Sequence, residues 1–125
     1  MNRSRQELAE KTMQDLYGVT WNVAPRPGEP PEAEILNRQL AMNAFADSWS
    51  RDAIAPKTKE MITIGMLIAT CGADSELRSH VSGALLLGVT KSEIVEIFIH
   101  AAAYLGTIRT AAAWSVARRV LADAS

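Results

Sequence analysis

The stretch from Pro56 to Gly88, PKTKEMITIGMLIATCGADSELRSHVSGALLLG, restricts the fold more than any other part of this sequence, because it reads as two largely apolar helices that carry ionisable residues. From Met61 to Cys71 apolar side chains fall on nearly every side of a helical period, with Thr63 and Thr70 marking a mildly polar edge. A helix of this kind has to be buried, either within a domain or between subunits. Glu60 shares a stripe with Ile64, Leu67 and Cys71. A carboxylate placed there is short of water, which favours its neutral form, raises its pKa and suits it to proton handling near neutral pH. The same position also admits a plainer role, in which a first-turn glutamate favours the helix dipole or pairs with Lys57 or Lys59. Cys71 on that stripe reads as a small apolar packing residue.

The second helix begins near Asp74 or Ser75, either of which can cap it, and ends at Gly88. Leu77, Val81, Ala84 and Leu85 form its inward face, and His80 borders that face. A partly sheltered imidazole changes charge close to physiological pH. His80 is therefore either a proton-handling group or a hydrogen-bonded packing residue, and periodicity admits both.

The flanking segments are also helical. Residues 3–17 place Ala9, Met13, Leu16 and Tyr17 at helical spacing until Gly18 stops the pattern, which predicts a surface-packed helix or an arm gripping a neighbouring subunit. The prolines of VTWNVAPRPGEPP then enforce a loop, whose Trp21 either covers a pocket or tacks the loop onto the core. From Glu32 to Asp47 a further helix puts Ile35, Met42, Phe45 and Ala46 on one stripe with Leu36 and Leu40 beside it, and SWSRDAIAP breaks it. Thr90 and Glu93 form a capping box. The helix after it has two apolar sides, Ile94, Ile97, Phe98 and Ala101 on one and Val95, Ile99 and Ala102 on the other. Two such sides in a small domain call for a second covering surface, most simply another copy of the chain. His100 falls on the polar strip one turn from Glu96, the spacing of an ion pair. Gly106 ends that helix, and Thr107 caps a last one whose inward stripe is Ala113, Val116, Ala117, Val120 and Leu121.

No β pattern of useful length appears, so the expected architecture is all-α, about six helices in one domain spanning residues 1–125. Residues 1–33 would be an N-terminal helix and proline-rich loop ahead of a helical core at 34–125. With 48% hydrophobic and 22% charged residues, 125 residues suffice for one modest core. A net charge of -1 gives no reason to expect nucleic acid or an anionic membrane as partner. A single cysteine excludes an internal disulfide and is compatible with a reducing cytoplasm. The N-terminal stretch lacks a signal-peptide apolar core and no segment approaches a membrane span, so a cytoplasmic location is expected. Phosphate-loop and dinucleotide fingerprints are absent and the two histidines have no zinc-ligand spacing, so no metal is expected.

Taken together, Trp49-Ser50-Arg51, Lys57-Thr58-Lys59, Glu76-Leu77-Arg78 with His80, Gly88-Val89-Thr90, Glu93-Ile94 with Glu96, then Tyr104 and Gly106 form an ordered series. That series resembles the decarboxylase branch of the carboxymuconolactone decarboxylase family, whose fold is alkylhydroperoxidase D-like. The resemblance implies a carboxy-lyase of aromatic catabolism that needs no cofactor and converts a small carboxylated unsaturated lactone to an enol-lactone. It also implies assembly into a ring, a homotrimer or homohexamer. On this reading His80 and Glu60 are catalytic, while Arg51, Arg78, Trp49 and Tyr104 bind a small carboxylate or lactone. The other branch of the family carries two cysteines where this sequence has Ala73 and Glu76, so a dithiol peroxidase is disfavoured. Ile108 stands where the family often has proline, and Arg109 beside it and His100 are further departures. These keep open a related lyase, isomerase or hydrolase, and also a non-catalytic oligomeric ligand-binding protein.

Overall fold

The computed structural model describes residues 2–125, with side chains from Ser4 onward, and among these the regular elements are all helices, with no strand. The helices are α1 (Asn2–Tyr17), α2 (Ala33–Ala41), which runs on as a π-helical segment (Met42–Trp49), α3 (Pro56–Ala69), α4 (Asp74–Leu86), α5 (Lys91–Leu105) and α6 (Thr107–Asp123). The chain divides into two compact units, Met1–Ile54 and Ala55–Ser125. The second helix of the sequence thus groups with the first.

In the first unit, α1 packs along the π-helical segment. Tyr17 sets its ring edge-on to Phe45 and Trp49, at centroid separations of 6.4 and 6.1 Å, and Arg5 pairs with Asp47. The expected stripe does not run the length of the second helix. Met42 and Ala46 are buried, but Ile35, Leu36 and Leu40 are exposed, and α2 buries none of its residues. The cause is the change of helix type: bonds that reach five residues back, as from Ser50 N–H to Phe45 O at 3.2 Å, widen the turn and shift the angular phase of every later side chain.

The second unit is built on α3, opened by Pro56 where a missing N–H costs nothing. Ile64 and Ile68 of α3, Leu77, Val81 and Ala84 of α4, Ile94 and Phe98 of α5, and Ala113, Ala117 and Leu121 of α6 form one continuous core. Burying one such aliphatic side chain stabilises by about 1.5–3 kcal/mol, and the alanines let α6 approach closely. α3 is less enclosed than its apolar sequence predicts, because Ile62 and Met66 face outward. It also ends earlier. Ala69 is its last residue, and Cys71 lies beyond it in a turn with Gly72 at φ +78°, exposed instead of packed in the core.

Candidate active site

Glu60 is the fifth residue of α3, one turn before Ile64 on the core stripe, so the helical period carries its side chain inward with the isoleucines. It is completely buried, 0% exposed. A buried carboxylate without a partner is costly by several kcal/mol, and its partner here comes from α4. His80 Nδ1 lies 2.7 Å from Glu60 Oε1. His80 reaches it because it borders the α4 face formed by Leu77, Val81 and Ala84, which packs onto α3 across a short turn. The second carboxylate oxygen, Oε2, has no hydrogen-bond partner among the described residues.

The imidazole is sheltered but not sealed, with its side chain 25% exposed. Its other nitrogen, Nε2, lies 3.6 Å from Oε2 of Glu76, one turn earlier on α4 and 68% exposed. His80 thus stands between a buried carboxylate and an exposed one. Its pKa is raised above the ordinary 6.5, chiefly by the hydrogen bond to Glu60; burial opposes this, and the negative charges of Glu60 and Glu76 add to it. The charged imidazolium therefore persists to a higher pH than in a free histidine. With Nδ1 donating to Glu60, Nε2–H is the proton that faces outward.

The structure therefore brings Glu60 and His80 together, and it adds Glu76. Glu76 belonged to the series that carries the family resemblance, but its i, i+4 spacing to His80 reads as an ordinary surface pair and it was given no role at the site. Arg78 is two residues from His80 on α4, roughly 200° around the helix axis, and lines clefts with Val116, Arg119 and Val120 of α6. Tyr104, 78% exposed, ends α5 with its ring 5.2 Å from that of His100. No ion pair joins His100 to Glu96 among the described residues, and the ring contact takes its place. Trp49 and Arg51 belong to the first unit, where Trp49 meets Tyr17. Arg109 donates from Nη1 to Cys71 Sγ at 3.1 Å. No group of three or more His, Cys, Asp or Glu side chains able to hold a metal occurs among the described residues.

Fold and site together define a helical scaffold that orients an imidazole with a buried carboxylate. The chain belongs to the carboxymuconolactone decarboxylase family, whose model matches residues 32–119. It is similar to the 4-carboxymuconolactone decarboxylase of Acinetobacter baylyi, 35% identical over 80 residues that cover 64% of this chain and 59% of that protein. It is equally similar to the nitrosuccinic acid decarboxylase of Metarhizium robertsii, 35% identical over 80 residues, 64% of this chain and 55% of that one. The match thus spans somewhat over half the length of either relative.

Proposed function

We propose that this chain is a decarboxylase of small acids whose carbanion is stabilised within the substrate itself, with a carboxylated unsaturated lactone of the 4-carboxymuconolactone type as substrate and an enol-lactone as product. The observation that carries the reading is the 2.7 Å bond from His80 Nδ1 to the fully buried Glu60, which holds an imidazolium with Nε2–H directed outward.

The chemistry asks little else of the protein. The bond from the ring carbon to the carboxylate breaks heterolytically and carbon dioxide leaves. The electron pair spreads through the double bond onto the lactone carbonyl, forming a dienolate. His80 Nε2–H stabilises the growing negative oxygen or delivers its proton to ring carbon, and one proton is consumed in each turnover. Glu60 orients the ring and keeps it charged until that transfer. Because the substrate is its own electron sink, the reaction makes no demand for a metal, flavin or nucleotide.

The second relative favours a second substrate. In a nitro-substituted diacid the nitro group takes the electron pair as a nitronate, and the same imidazolium serves the same step. Both relatives are 35% identical to this chain over 80 residues, so both substrates belong in the assay. Carbon dioxide release is followed for 4-carboxymuconolactone, with loss of its ring absorbance, and for nitrosuccinic acid. Release from the lactone supports the primary reading, release from the nitro acid alone supports the second, and release from neither sinks both. His80→Gln and Glu60→Gln each lower turnover about a hundredfold or more with the helical circular dichroism unchanged; activity near that of the parent removes the assignment. Self-association belongs to the same proposal, supported by apolar side chains that the chain leaves uncovered at the α5–α6 turn.

A further inference from the structure

The proposed chemistry makes no use of a groove of about 410 Å³ between α5 and α6, walled by Val95, Phe98, Ile99, Ala102, Ala111 and Trp114. Phe98 and Trp114 set their rings edge to face at 5.2 Å, with planes 63° apart, and form an angled, polarisable corner. No charged residue lines the groove, and none of its lining comes from α3 or α4. Two threonines complete it, the exposed Thr107 and the buried Thr110. Thr110 is 8% exposed, and its Oγ1 has no hydrogen-bond partner among the described residues.

Three other threonines are satisfied by the backbone where this one is not. Thr12, Thr63 and Thr70 each donate to the carbonyl one turn back, at 2.8, 2.8 and 2.9 Å. Thr110 has Gly106 O at the corresponding place, but that oxygen receives the Thr110 N–H at 3.3 Å and not the hydroxyl. A buried hydroxyl left unpaired is costly, and a bound oxygen removes the cost. An anion would enter this apolar groove without a cation to meet it, so the groove is no second seat for a carboxylated substrate. The apolar side chains of another copy of the chain would bury the hydroxyl without pairing it.

We infer that the α5–α6 groove binds an uncharged small molecule with an apolar, ring-sized body and one hydrogen-bonding oxygen, which pairs with Thr110 while the body lies along Phe98 and Trp114. The volume lies within the range of small-molecule sites, about 300–1,000 Å³. The proposal stands independently of the Glu60–His80 reading.

The test uses the full isotope-labelled chain titrated with 1-indanone and with indane, which share a ring skeleton and differ in the ketone oxygen. The amides of Ile99, Ala102 and Ala111 shift with both, and the ketone binds about five-fold more tightly. Thr110→Val brings the ketone down to the level of indane and leaves indane unchanged. Ala102→Phe, made at an exposed position on the groove wall, abolishes binding of both. Equal affinity for the two probes overturns the proposal. So does an unaltered preference in Thr110→Val, or groove amides that stay still because a second copy fills the space.

Discussion

Glu60 and His80 lie twenty positions apart, yet they behave as one unit, and pH is the variable that exposes it. A raised pKa means that the folded chain binds the His80 proton more tightly than the unfolded chain does. The resulting stabilisation is fully present below the ordinary value of 6.5 and is lost as pH climbs through the raised folded value. The melting temperature of the parent, followed by circular dichroism, is therefore expected to fall across that window, and in Glu60→Gln the fall flattens because the main cause of the shift is gone. Ring resonances of His80 give the same answer directly: a titration midpoint above 6.5 in the parent that moves down in Glu60→Gln. A midpoint unmoved by that substitution would mean that the short contact does not govern the imidazole. The sequence showed each partner on the inner side of its own helix but not their meeting, which depends on how α3 and α4 pack. It gave no means of excluding Arg78, because the resemblance carries a residue's position in the chain and not its angle about the helix. Glu76 was named but given no role for the opposite reason, since its spacing to His80 is a common surface pattern on helices.

The helices were most legible where local chemistry decides their ends. The capping box forms in full: the Thr90 hydroxyl accepts from Glu93 N–H and the Glu93 carboxylate accepts from Thr90 N–H, both at 3.0 Å. Thr90→Ala is expected to cost about 1 kcal/mol in urea unfolding. Gly106 is the sharper case, because one residue both ends α5 and precedes α6. Its φ of 82° and ψ of 170° fall in a region open essentially to glycine alone. A methyl group there would meet no atom within 4 Å, so the penalty for Gly106→Ala is one of backbone conformation and not of crowding. A loss of about 2 kcal/mol is expected; unchanged stability would show that the turn relaxes into another conformation. The π-helical segment was not legible, since its sequence, MNAFADSW, contains nothing that distinguishes a five-residue from a four-residue hydrogen-bond reach. Cys71 was misplaced by a similar gap in the pattern. The apolar stripe continues past the last helical hydrogen bonds, and only Gly72 hints that the backbone has already turned.

At the scale of the whole molecule the question is what covers the apolar surface the chain leaves open. Ile108 is 85% exposed and Tyr104 78%, on either side of the α5–α6 turn in the chain and outside the lining of the groove, and α3 turns Ile62 and Met66 outward. Exposed apolar patches of this kind mark interaction sites more often than chance placement. The sequence carried half of this, in the two apolar sides of α5, of which one joins the core through Ile94 and Phe98 while the other walls the α5–α6 groove through Ile99 and is separate from the patch at the turn. A second copy is the covering surface that the proposal names, and a substitution that charges the patch separates it from indifferent exposure. Light scattering of the parent is expected to return a multiple of 13.6 kDa. Ile108→Asp should shift the population toward the single-chain mass, because each association would then bury an unpaired carboxylate, a cost large enough to outweigh the gain from a few apolar side chains. His80 and Glu60 lie on other helices from Ile108, so the substitution also separates assembly from chemistry. If Ile108→Asp loses carbon dioxide release in step with its mass, the active form is the assembly; a parent that scatters as 13.6 kDa while turning over leaves the exposed patch to some other partner.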